Sequence, residues 1–170
     1  HRAGEIERND LLSVLDDLQS LLLRRDVVSV GSDRLVARLV RASREGIDAL
    51  AAAISRQTPS DDRVRVALKH SPLPHPEYVL SRLADVDPAQ DDLVIDHVFP
   101  PAPSDDWTGG DGRRWKDYSE DEQNSHRALA ATLGNLALLE EPLAAQVFDA
   151  DFPDKRTVYG RSSMTVTQPL

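Results

Sequence analysis

The chain has 170 residues, 40% of them hydrophobic, which allows one sizeable core or two small ones; with no cysteine there is neither a disulfide framework nor a thiolate metal site. A formal net charge of -9 excludes a protein that holds nucleic acid through its overall field, so any such contact has to be local. No apolar run approaches a membrane span and no basic-then-apolar leader opens the sequence, so a soluble, cytoplasmic protein with no membrane partner is expected. A chain that opens at His1 rather than Met reads as an excised fragment or the remnant of a tagged protein, with part of the function expected in a missing N-terminal region.

In chain order, Leu11, Leu15, Leu18 and Leu22 recur at helical spacing between about Glu5 and Arg25, which predicts an amphipathic helix packed through that stripe. After a break at Ser29-Val30-Gly31, Ser32 is the expected N-cap of a second helix with Leu35, Val36, Leu39 and Val40 on its apolar face. Ile47, Leu50, Ala51 and Ile54 form a third stripe, and Pro59-Ser60-Asp61-Asp62 opens a short helix through Val64, Ala67 and Leu68. The prolines at 72, 74 and 76 make a connector. Pro76 then starts a helix carrying Tyr78, Val79, Leu80 and Leu83, and Asp87-Pro88 turns the chain toward a strand. His70 and His75 stand at no ligand spacing.

The run Leu93-Val94-Ile95-Asp96-His97-Val98-Phe99, flanked by Asp91-Asp92 and Pro100-Pro101, reads as a buried strand that delivers an acid and a histidine at its end. Adjacent strand residues point to opposite faces, so the pair diverges unless the strand ends or bends there. A lone Asp-His pair is otherwise a capping Asp beside a surface His. Residues 100–112 form an irregular loop; Ser119 and Glu122 make a capping box for a helix carrying Leu129, Ala130 and Leu133 that stops at Gly134. Asn135 to Leu139 can be a second buried strand, Leu143 to Asp151 a helix, and Pro153 to Arg156 the start of a last one. Arg113, Arg114 and Lys116 among Trp107, Trp115 and Tyr118, and Lys155, Arg156 and Arg161 beside Tyr159, are candidate phosphate contacts, with an ordinary solvated loop as the alternative. His126 is expected to pack, not to ligate.

The order of these parts resembles the HNH, or ββα-metal, nuclease core, and more closely the C-terminal HNH domain of GmrSD-type defence proteins. Ile95-Asp96-His97-Val98-Phe99-Pro100 is similar to that family's acid-His-x-x-Pro signature, and Leu133-Gly134-Asn135-Leu136-Ala137-Leu138-Leu139 to its LGNLxLL strand. Trp107 and the closing Phe152, Lys155, Tyr159 and Ser162 fit the pattern, as do Arg24-Arg25 and Pro59-Ser60-Asp61 in the helical half. The resemblance implies an α+β fold: a mostly helical N-terminal bundle over residues 1–90, then an HNH ββα-metal core over 91–170. It implies metal-dependent endonuclease or nicking activity on DNA in a modification-sensing anti-phage system, and as partner a ParB-like nucleotide-hydrolysing domain N-terminal to this chain.

Phosphodiester hydrolysis needs a base for water and a cation on the phosphoryl oxygens. His97 suits the base because an imidazole titrates near neutrality. Asp96 is a hard oxygen ligand for a divalent metal, Mg²⁺ first and Mn²⁺ or Ni²⁺ as alternatives. Asn135 is implied to orient the His-bearing loop. One departure stands out: nine residues after Asn135, where the family carries an Asn or His ligand, this chain has Ala144. A methyl group ligates nothing, so the alanine is an introduced replacement, or the mark of a degenerate member, or is compensated by Asp149. The alternative function is a catalytically dead DNA-binding or protein-interaction module that keeps the fold.

Overall fold

Helices α1 (Arg8–Val27), α2 (Leu35–Glu45), α3 (Ile47–Gln57), α4 (Asp61–His70) and α5 (Pro76–Ala84) precede strand β1 (Leu93–His97). Helix α6 (Glu120–Leu129), strand β2 (Leu136–Glu140) and helices α7 (Glu141–Ala144) and α8 (Phe152–Tyr159) follow. The coordinates are a computed structural model and describe residues 7–87, 89 and 92–170. The fold is α+β, with helices first and an antiparallel pair of strands after them. The helix start expected at Glu5, the turn at Pro88 and the flanking Asp91 lie outside the described residues.

The chain forms two units, the first ending at Ala67 and the second beginning at Leu68. The division lies before α5, not near residue 90, because Leu73 and Leu80 join Leu136 and Leu138 of β2 in one apolar cluster with Met164. Burying that leucine surface against the strand ties α5 to the second unit.

In the first unit Val14, Leu21, Leu35 and Ile54 are buried together, with Leu18, Leu39, Ile47, Leu50 and Ala51 around them. The α3 stripe packs as its spacing predicts, but the α1 stripe does not. Leu11, Leu15 and Leu22 are 45%, 43% and 45% exposed, and the buried face runs instead through Val14, Leu21 and Arg25. Both stripes have helical spacing and share Leu18, so periodicity alone cannot separate them. The face containing Arg25 can go inside because its guanidinium donates to the carbonyls of Gln57 (3.4 Å) and Gly31. In α2, Arg34 in the left-handed region precedes the helix where Ser32 was the expected N-cap, while Val36 and Val40 are 69% and 45% exposed.

In the second unit β1 and β2 pair with Leu93 opposite Glu140, Asp96 opposite Ala137 and His97 opposite Leu136. Alternation along β2 splits the core in two. Leu136 and Leu138 join the α5 cluster, whereas Ala137 and Leu139 pack with Val98, Val147, Val158 and Tyr159. Ser119 caps α6 as predicted, its backbone N–H donating to Glu122 Oε2 at 2.8 Å while Glu122 N–H donates back to the Ser119 hydroxyl at 3.3 Å. The helix expected over residues 143–151 is confined to the short α7 followed by turns, and α8 begins at Phe152.

Candidate active site at the end of the first strand

Cross-strand register places Asp96 on the face that β2 presents through Ala137, the face that packs against α8. There Lys155, completely buried, donates to Asp96 Oδ1 and Oδ2 at 2.9 Å each and to the carbonyl of His97 at 2.6 Å. The hydroxyl of Tyr159, one turn further along α8, donates to Asp96 Oδ2. Burial, and then the neighbouring Asp96, push the Tyr159 hydroxyl well above its ordinary pKa, so it stays a donor. Both Asp96 oxygens are thus satisfied inside the protein.

This arrangement decides the fit of a metal. A divalent cation at Asp96 would have to displace an ammonium that has no route to solvent, and burying that ammonium unpaired is prohibitive. Among the described residues no group of three or more His, Cys, Asp or Glu side chains could hold a metal ion. Asp149 is exposed in the turns after α7 and completes no such group. Ala144 is half-buried and packs against the cluster around Val98 and Ala137. Asp96, Ala144 and Asp149 as placed therefore do not fit a resident Mg²⁺.

His97 leaves the opposite side of the strand end, half-buried, and no described residue hydrogen-bonds its ring. Burial lowers its pKa below the ordinary imidazole value and the charge of Lys155 adds to that, against an opposing pull from Asp96. The ring is therefore neutral at physiological pH, with a lone pair available for a proton.

The loop after the strand is fixed by Asn135. Its Oδ1 accepts from Phe99 N–H at 2.8 Å, while Nδ2 donates to the carbonyls of Phe99 and Ala130 at 2.9 Å each. The Val98 N–H donates to the Asn135 carbonyl at 2.9 Å. Phe99 in turn meets Trp107 and Phe152 edge-on at 5.4 and 5.5 Å and stacks on His126 at 5.9 Å. His126 Nε2 lies 2.8 Å from the carbonyl of Pro100 and so packs, as expected. Trp107 and Trp115 are only 5% and 7% exposed, and with Phe99, Tyr118 and His126 they line a cavity of about 490 Å³.

The cations expected to meet phosphate are mostly committed. Arg113 pairs with Asp111 and Glu122 at 2.9 Å, Arg114 with Asp117 at 3.1 Å and Lys116 with Asp106 at 2.7 Å. Those surface pairs are individually weak, but residues 105–122 hold seven acids against three bases, so the local field repels a polyanion. Lys155 is inaccessible, which corrects its expected role as a phosphate contact. Of the six, Arg156 on α8 and Arg161 remain, both exposed, with Arg161 donating to Gln146 Oε1 at 2.9 Å. Sequence reasoning placed Asp96 and Asn135 but gave Tyr159 no role. The signals for it were its place in the closing Phe152, Lys155, Tyr159 and Ser162 pattern and its position one turn after Lys155.

Among protein families, the model for GmrSD restriction endonucleases, C-terminal domain, matches residues 48–170. No curated protein and no solved structure matches the chain.

Proposed function

This chain belongs to the C-terminal domain family of the GmrSD restriction endonucleases, and from that premise we propose that it cleaves DNA phosphodiester bonds with His97 as general base. It is a domain of the restriction-endonuclease type used in defence. The observation that carries the catalytic reading is His97 itself: no described residue hydrogen-bonds its ring, burial favours the neutral imidazole, and its carbonyl accepts from Lys155 Nζ.

In the proposed step a water oxygen forms a bond to phosphorus as His97 takes its proton, and the bond from phosphorus to the leaving sugar oxygen breaks. The leaving oxygen takes its proton from solvent. Asp96 does not ligate a metal in this scheme. It neutralises Lys155, and the pair fixes the end of the strand from which His97 projects. Asn135 is a positioning residue, and Arg156 is the candidate phosphate contact on α8. We extend the proposal to nicking within a system that senses modified DNA, with a ParB-like nucleotide-hydrolysing domain as partner.

One observation favours a second reading, a non-catalytic DNA-binding or interaction module with the same fold: Asp96 is closed to metal. Supercoiled plasmid separates the two. Under the catalytic reading the chain yields nicked or linear product in buffer with Mg²⁺, with Mn²⁺ or with chelator. Intact plasmid under all three conditions rejects it.

A further inference from the structure

In the second unit the loop of residues 105–122 is acid-rich and Lys155 is buried, whereas the first unit contains a groove of opposite character. Helices α2 and α3 meet at Gly46, whose φ of +122° lets the chain reverse between them. Together the two helices carry four arginines and two acids in a chain whose net charge is -9. Three of those arginines, Arg38, Arg41 and Arg56, rim a cavity of about 450 Å³ between the helices, with Glu45 the one carboxylate at its edge. All three are exposed, and their side chains enter no ion pair among the described residues; Arg38 alone has a partner, donating to Gln57 Oε1 at 2.9 Å.

Sequence spacing explains the groove. Arg38 and Arg41 are one helical turn apart on α2 and so face the same way. Below them Ala42 and, on α3, Ala49, Ala52 and Ala53 are too small to fill the space between the helices. The result is a cationic rim over a shallow floor that can admit a phosphate backbone closely. Guanidinium groups match phosphate oxygens in a planar fork. Without a carboxylate for each of them, they have no internal substitute for a polyanion.

We propose that the groove between α2 and α3 binds the phosphate backbone of duplex DNA through Arg38, Arg41 and Arg56. Duplex DNA as the occupant rests on the DNA-cleaving reading above; the anionic chemistry rests on the groove. Each phosphate contact contributes about 0.9 to the slope of log K against log salt concentration.

The test is fluorescence anisotropy of the full chain with a labelled duplex, across a salt series and in chelator. Removing Arg38, Arg41 and Arg56 together by glutamine substitution is expected to reduce the slope by about 2 to 3, and each single substitution by about 1. Arg41→Lys keeps the charge and should retain the slope. Arg63→Gln, an exposed arginine outside the groove, should change nothing. The three positions are exposed, so melting curves should match that of the parent chain. An unchanged slope in the triple variant, an equal loss in Arg63→Gln, failure of the parent chain to bind duplex at low salt, or tighter binding of single-stranded RNA than of duplex would each overturn the proposal. A chain that binds with this slope but never nicks plasmid fails the catalytic reading alone, and one that nicks with a slope indifferent to the three arginines fails this inference alone.

Discussion

Lys155 lies directly against Asp96, its Nζ 2.9 Å from each carboxylate oxygen, with the lysine wholly buried. Removing one partner of such a pair leaves an uncompensated charge in the core. Lys155→Met is therefore expected to destabilise the second unit by about 3–5 kcal/mol, and Lys155→Met combined with Asp96→Leu by clearly less. Both tryptophans belong to that unit, so urea unfolding followed by their fluorescence reads it selectively. A loss below about 1 kcal/mol for the single variant would show that the pair is not formed as described.

Asn135→Asp separates hydrogen bonding from shape. The carboxylate can still accept from Phe99 N–H, but it sets an oxygen against the Phe99 and Ala130 carbonyls to which Nδ2 now donates. Two lost donors at part-buried acceptors should cost about 2–4 kcal/mol and lower cleavage with it. Asn135→Asp with the melting temperature of the parent chain would contradict the positioning role.

Restoring an amide at Ala144 should not create a metal site. The methyl group packs on the Val98 and Ala137 cluster, so Ala144→Asn is expected to cost about 1–3 kcal/mol for a poorly satisfied polar group. Calorimetry with Mg²⁺ should show no binding gained. Saturable binding by Ala144→Asn, lost again on Asp96→Ala, would mean that Lys155 yields Asp96 to a cation.

Glu140 makes stability depend on acid. Burial alone would raise its pKa, but hydrogen bonds from Ser163 and Ser162 hold it at about 2, below the ordinary 4.5. With the folded pKa depressed, the contribution is complete above the unfolded value and is lost as pH falls from about 4.5 toward about 2. The difference in melting temperature between the parent chain and Glu140→Gln should accordingly be largest at neutral pH and close over that window. A difference that stays constant to pH 2 would exclude the linkage.

Much of this was readable before any coordinates. The α3 stripe, the capping box at Ser119 and Glu122, and the two apolar runs that pair as β1 and β2 are local signals, each resting on side chains a few residues apart. What sequence could not settle depended on distant partners. The choice between two leucine stripes on α1 turned on Arg25 finding the carbonyls of Gln57 and Gly31. The role of Asp96 turned on Lys155 and Tyr159, 59 and 63 residues away. An acid beside a histidine reads as a metal ligand until the fold supplies an internal cation. Likewise the bases among aromatics at 113–116 read as a phosphate site until the acids around them are placed.

The measurement that bears most directly on the central claim is the single-turnover rate of plasmid nicking by the parent chain and by His97→Ala, with matched melting curves. Loss of a general base predicts a rate about 10²–10⁴-fold lower in the variant. Because the imidazole pKa is lowered, the acid limb of the parent chain's pH profile should have its midpoint below 6.5. Equal rates for the two proteins, or an acid limb centred above 6.5, would contradict the assignment of His97 as the base.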